Sequence, residues 1–158
     1  MTGKNNMKAK TLMILGTGSN VGKSVITAAL CRKFFLDGWK VTPFKAQNMS
    51  LNSFVTEDGG EMGRAQVYQA EACGIKPHVT MNPVLLKPSG DNNSQVIVMG
   101  KVTENRNAKD YFAQRGKYFS EVEKALEHLR NEYELVVLEG AGSPAEVNLR
   151  DYDFVNMP

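Results

Sequence analysis

The chain has 158 residues, enough for one domain that buries most of its apolar surface. Apolar residues make up 42% and charged residues 23%, the balance of a folded globular chain rather than a disordered one. A formal net charge of +2 leaves no electrostatic footprint for nucleic acid, and the longest apolar run is far too short to cross a bilayer, so neither nucleic acid nor membrane is an expected partner.

Residues 1–10 are polar, carry no apolar segment of signal-peptide type, and are expected to form a flexible tail. Cys31 and Cys73 offer no metal spacing and no disulfide framework, so a reducing cytoplasm is the expected location. An apolar run at 11–15 reads as a first strand. A helix follows over about 22–36, with Val21, Val25, Ala28, Ala29, Phe35 and Leu36 as its expected apolar face and Asp37-Gly38 as its stop. Residues 40–45 read as a second strand. The polar segment 46–61 is too long for a plain connection, so it is expected to be functional or mobile. A helix is expected over 62–73, a short strand within 81–88, turn residues at 89–94 and another strand at 95–99. The clearest amphipathic helix spans about 109–131, with Tyr111, Tyr118, Val122, Leu126 and Leu129 on its apolar stripe. A last strand at 133–138 has little polar content, as expected of one covered on both faces. Alternating strands and helices predict an α/β fold with a mostly parallel, doubly wound sheet.

The chemistry concentrates between the first strand and the first helix. Gly16-Thr17-Gly18-Ser19-Asn20-Val21-Gly22-Lys23-Ser24 is a glycine-rich loop in the strand–loop–helix context of a phosphate-binding P-loop. Gly16, Gly18 and Gly22 let the backbone curl and aim N–H groups inward, and the helix start adds unpaired N–H groups with the positive end of its dipole. Lys23 would reach terminal phosphate oxygens, and the Ser24 hydroxyl would ligate Mg²⁺. The spacing departs from the usual pattern, since Thr17 occupies the position of the first glycine and Gly16 stands one residue earlier. The plainer alternative is a turn that only joins strand to helix.

The last strand ends in Glu139-Gly140-Ala141-Gly142. Ligands of open α/β sheets bind at the carboxyl ends of strands, so Glu139 is a candidate second Mg²⁺ element facing Ser24. Lys45, at the end of the second strand, points to the phosphates by the same rule. Gln47, Asn48, Ser50, Asn52 and Ser53 then form a dense, almost uncharged hydrogen-bonding set. They suit a carboxylate- or amide-bearing substrate, or equally a loop that caps its own backbone.

These residues, together with Phe44–Ser53, Asp58–Gln66, Met81–Pro88 and Glu139–Leu149, resemble the cobyric acid synthase family. The irregular loop spacing is shared with that family and with the related dethiobiotin synthetases. The resemblance covers residues 11 to 158 and implies a P-loop fold and a glutamine-dependent, ATP-consuming amidoligase of cobalamin biosynthesis. Such an enzyme converts adenosylcobyrinic acid a,c-diamide to adenosylcobyric acid by amidating peripheral carboxylates. It implies catalytic roles for Lys23 and Lys45 at the transferring phosphoryl group, Mg²⁺ on Ser24 and Glu139, and Glu61 as a further metal or substrate-side ligand. Gln47, Asn48, Ser50 and Asn52, with Arg64, Asn148 and Arg150, would meet the corrinoid. Glutamine-derived ammonia would come from a glutaminase domain, whose cysteine nucleophile and His/Glu pair have no counterpart here. The expectation is therefore a domain over 11–158 cut short at its C-terminus. The alternatives are a non-catalytic fragment that keeps at most nucleotide or phosphate binding, and a P-loop ATPase switch protein. Glycine at position 18, where such switches carry a second loop lysine, counts against the latter.

Overall fold

The computed structural model describes residues 8–89, 93–107, 115–143 and 155–156. Its first sheet is built around the apolar strand that the sequence places last. That strand lies between the first two strands, β1 (Lys10–Ile14) and β2 (Val41–Phe44), and all three run parallel. All five residues of this central strand, Leu135–Glu139, are buried, as a parallel strand covered on both faces requires.

Between β1 and β2 runs α1 (Lys23–Leu36). Its inward residues include Thr27, Ala28 and Cys31, whereas Val21, Val25, Ile26 and Leu36 are each more than half exposed. Of the apolar face expected for this helix, Ala28 is buried, while Val21, Val25, Ala29, Phe35 and Leu36 are exposed and that part is corrected. Apolar and polar residues are mixed around the helix, so composition did not reveal which side faces the sheet. Cys31 and Cys73 are both buried in one small core cluster, as free thiols.

Beyond β2 the chain changes sheets. The Lys45 N–H donates to Met81 O at 2.8 Å, and Ala46 O accepts from Val84 N at 3.2 Å. The next residues, β3 (Gln47–Met49), then pair parallel with β6 (Val84–Pro88) in a second sheet. Lys45 therefore stands at the step between two sheets, at the carboxyl end of β2. The second sheet continues antiparallel through β7 (Asn93–Val98) and β8 (Lys101–Asn107). The parallel expectation holds for the first sheet, and the second is antiparallel except for the β3–β6 pair.

The polar segment 46–61 is more ordered than a loop. Besides β3 it holds β4 (Ser53–Val55), which forms a hairpin with β5 (Glu61–Gly63). A second hairpin joins β7 to β8 through Met99 (φ 47°) and Gly100 (φ 78°), both left-handed, as a two-residue turn matching the strand twist demands. The two hairpins touch: Glu61 N donates to Gly100 O at 2.9 Å, and a Cβ on Gly100 would lie 2.7 Å from the Gly60 Cα.

The next helix, α2 (Arg64–Ala72), starts directly after β5, and a 3-10 turn at Val79–Met81 precedes β6. The amphipathic segment is α3 (Arg115–Glu132), followed by the central strand, β9 (Leu135–Glu139). Tyr118, Val122, Ala125 and Leu129 are buried from α3, and Leu126 packs at the edge of the same core. Tyr111 lies outside the described residues. Residues 8–10, expected in the tail, are held: Ala9 is buried, its N–H donates to Arg130 O at 2.8 Å, and Lys10 opens β1.

Candidate functional site

The loop between β1 and α1 adopts the conformations its glycines permit. Gly22, at the cap of α1, has φ 95°, and Asn20 has φ 61°. A Cβ on Gly16 would fall 2.7 Å from a Val21 methyl, so the tight curl needs a glycine there. Thr17, Ser19, Asn20 and Val21 are exposed at the crest, with Gly18 partly so. Beneath them Lys23 is buried, and its ammonium donates to Gly18 O at 2.5 Å and Gly142 O at 3.0 Å. That single side chain ties the loop to the turn after β9.

Glu139 is the centre of the site. It is the last residue of β9, with 2% of its surface exposed. Its Oε1 accepts from the Ser24 hydroxyl at 2.7 Å and from the Lys45 ammonium at 2.8 Å. Its Oε2 accepts from Gln69 Nε2 at 2.6 Å and, more distantly, from Gln66 Nε2 at 3.4 Å. Two predicted residues, from α1 and the end of β2, thus converge on the carboxylate of a third, at the end of β9. A buried carboxylate is tolerable only with such compensation. The turn beyond it is braced by Asn156, which exchanges two hydrogen bonds with Ala141. Gly140 is required beside it, since a Cβ there would lie 2.3 Å from Asn156 Oδ1.

Glu61, expected as a further ligand, is engaged by a different pair. Its Oε1 accepts from both Lys87 and Ser53. Burial pushes this carboxyl up, but the hydrogen bonds from Lys87 and Ser53 and the Lys87 charge outweigh it and hold Glu61 below its ordinary range. Among the described residues, no group of three or more His, Cys, Asp or Glu side chains is placed to hold a metal.

The substrate candidates divide. Asn48 is turned inward, and its amide donates to Gln66 Oε1 at 3.0 Å. Gln47 opens β3 and is partly exposed. Ser50 and Asn52 bond each other's polar groups, Asn52 N to Ser50 Oγ at 3.0 Å and Ser50 Oγ to Asn52 O at 3.2 Å. They also line, with Ser53 and Arg64, an open cavity of about 580 Å³. Asn148 and Arg150 fall outside the described residues.

Sequence reading missed Gln66, Gln69 and Asn82. The Asn82 side chain accepts from Gly63 N at 3.0 Å and donates to Lys45 O at 3.1 Å, so it holds the start of α2 against the lysine's backbone. A Cβ on Gly63 would meet Asn48 Nδ2 and Gln66 Oε1 at 2.6 Å and Asn82 Oδ1 at 3.0 Å. One signal was present: Gln66 and Gln69 are three apart, hence on the same face of a helix, with the buried Val67 and Ala70 beside them.

A glycine-rich loop at a helix start, a lysine curled under it, and a serine bonded to a carboxylate at the end of a parallel strand define a phosphate-binding α/β domain of the P-loop class. The chain belongs to the CobQ/CobB/MinD/ParA nucleotide binding domain family, whose model matches residues 12–152. The cobyric acid synthase of Carboxydothermus hydrogenoformans is 61% identical over 150 residues, covering 94% of this chain and 30% of that protein. The cobyric acid synthase of Pelotomaculum thermopropionicum is 59% identical over 150 residues, covering 94% of this chain and 29% of that one. The cobyric acid synthase of Desulfitobacterium hafniense strain Y51 is 59% identical over 158 residues, covering 99% and 30%. The chain therefore spans about 30% of the length of these curated relatives.

Proposed function

We propose that this chain is the nucleotide-handling part of a cytoplasmic cobyric acid synthase that amidates peripheral carboxylates of a corrinoid, adenosylcobyrinic acid a,c-diamide, at the expense of ATP. The observation that carries the reading is the meeting of Ser24 and Lys45 on Glu139 Oε1 beside the P-loop lysine. The relatives' name supports the substrate class.

In this reading the loop N–H groups and Lys23 bind the phosphates, and the ligand's anionic oxygens replace Gly18 O and Gly142 O as the lysine's partners. A carboxylate oxygen of the corrinoid attacks the γ-phosphorus and ADP leaves. Ammonia derived from glutamine then attacks the acyl carbon and expels phosphate. Lys45, poised on Glu139, supplies positive charge to the transferring phosphoryl oxygens. The Ser24 hydroxyl and the Glu139 carboxylate, 2.7 Å apart, are hard oxygen donors that fit Mg²⁺ with water and phosphate oxygens completing its shell. Bound there, Mg²⁺ would neutralise developing phosphate charge. Glu61 lies on the substrate side in this scheme, exchanging Lys87 and Ser53 for the corrinoid, while Gln47, Ser50 and Asn52 border its path.

Calorimetric titration of the chain with ATP and Mg²⁺ tests the reading, with Lys23→Ala as control. Binding by the wild type that the variant loses by tenfold or more is expected. A folded wild type that binds no ATP, or equal binding by the variant, would contradict it.

A further inference from the structure

The amide of Gln69 has both donor contacts made and its acceptor left out. Its Nε2 donates to Glu139 Oε2 at 2.6 Å and to Ser24 O at 3.3 Å. Its Oε1 is fully buried and has no hydrogen-bond partner among the described residues. Leaving a buried acceptor unpaired carries the desolvation cost of that group with nothing to offset it. Turning the amide over would not relieve this. It would set a carbonyl oxygen against the carboxylate at 2.6 Å, replacing an attraction with a repulsion. The orientation of Gln69 is therefore dictated by Glu139 and the backbone of Ser24, not by its own satisfaction. A buried acceptor left unpaired beside the central carboxylate of the site calls for an explanation beyond packing, and holding that carboxylate in place supplies one.

Gln66 extends the same device. Its Nε2 faces Glu139 Oε2 at 3.4 Å while its Oε1 accepts from Asn48, the buried residue of β3. Both glutamines stand on one face of α2, which Gly63 lets approach Asn48 and Asn82 closely. Glu139 is thereby used asymmetrically: the amides occupy Oε2, and Oε1 is left toward Ser24 and Lys45.

We infer that Gln69 is a positioning residue, with Gln66 in support. It pins Glu139 Oε2 and the first turn of α1 together, so that Oε1 and the Ser24 hydroxyl are held at the spacing a divalent cation needs. This rests on the nucleotide-site reading above and adds a second layer of residues to it. The bonds of Gln69 go to Glu139 Oε2 and Ser24 O, so it acts through those two residues. A merely structural glutamine would alter stability alone, whereas this one sets how strongly Mg²⁺ enhances ATP binding.

The experiment measures ATP affinity with and without Mg²⁺ for the wild type, Gln69→Leu and Gln69→Glu, alongside thermal midpoints. The wild type is expected to bind ATP several-fold more tightly with Mg²⁺. In Gln69→Leu that enhancement falls by fivefold or more while Mg²⁺-free affinity stays within twofold. Gln69→Glu keeps the side-chain volume but puts a second carboxylate against Glu139, and should lose the enhancement as well. If Gln69→Leu does not fold, Gln69→Met, which removes the amide from a flexible side chain of similar length, decides. A folded variant that keeps the wild-type enhancement overturns the positioning role. A wild type that binds ATP with no Mg²⁺ enhancement removes the cation site itself, and one that binds no ATP removes the nucleotide site; each is distinct from failure of the variant alone.

Discussion

Two carboxylates in this molecule are held by the same kinds of partner, and they differ in almost everything else. Glu139 accepts from Ser24 and Lys45, and Glu61 accepts from Ser53 and Lys87. The Glu139 side chain is 1% exposed at the end of the central parallel strand, while that of Glu61 is 20% exposed on a small hairpin. Glu139 has two glutamines on its second oxygen; both bonds to Glu61 fall on one oxygen, Oε1. The same acid–lysine–serine set thus serves as a buried, oriented centre in one place and as a partly solvated ion pair in the other. Burial and the second layer of amides make the difference, not the residue types.

Removing the lysines should separate the two most widely. Lys45→Met leaves a buried carboxylate without its counter-charge and is expected to cost about 3–5 kcal/mol, read from the denaturant midpoint at pH 7. Adding Glu139→Gln should recover much of that loss. If Lys45→Met cost under ~1 kcal/mol, Glu139 would be no more demanding than a surface carboxylate. Lys87→Met should cost at most about 1 kcal/mol, because the pair is partly solvated. Its clearer sign is in acid. Glu61 titrates below its ordinary value of 4.5, so its contribution is present above that pH and lost as pH falls through the lowered value. In Lys87→Met the stability–pH curve should be flatter in that window, and an unchanged slope there would show that Lys87 does not set the Glu61 titration.

The contrast also shows what a sequence can disclose. The loop from Gly16 to Ser24 was legible because its chemistry is local: glycines for curvature, then lysine and serine at a helix start. Glu139 was legible because an apolar strand that ends in a carboxylate places it at the ligand-binding edge of a parallel sheet. Lys45 followed from the same rule. The Lys87 partner of Glu61 was not legible, since it lies 26 residues further along the chain, on a strand whose pairing with β3 the sequence does not announce. Strand β8 escaped notice because its turn, Met99-Gly100, lacks the Asn-Gly pair that usually marks such hairpins. Gln66 and Gln69 look like ordinary solvated helix residues until α2 is laid against β9. The face of α1 was misjudged because its apolar residues are spread around the helix, and only packing against the sheet chooses among them.

The most direct measurement sets the two carboxylates against each other: the Mg²⁺ dependence of ATP affinity in Glu139→Gln and Glu61→Gln, measured by titration calorimetry on the same chain. Glu139→Gln is expected to abolish the Mg²⁺ enhancement while Glu61→Gln retains it within twofold. Retained enhancement in Glu139→Gln, or its loss in Glu61→Gln alone, would contradict the assignment of Glu139 as the cation-side carboxylate.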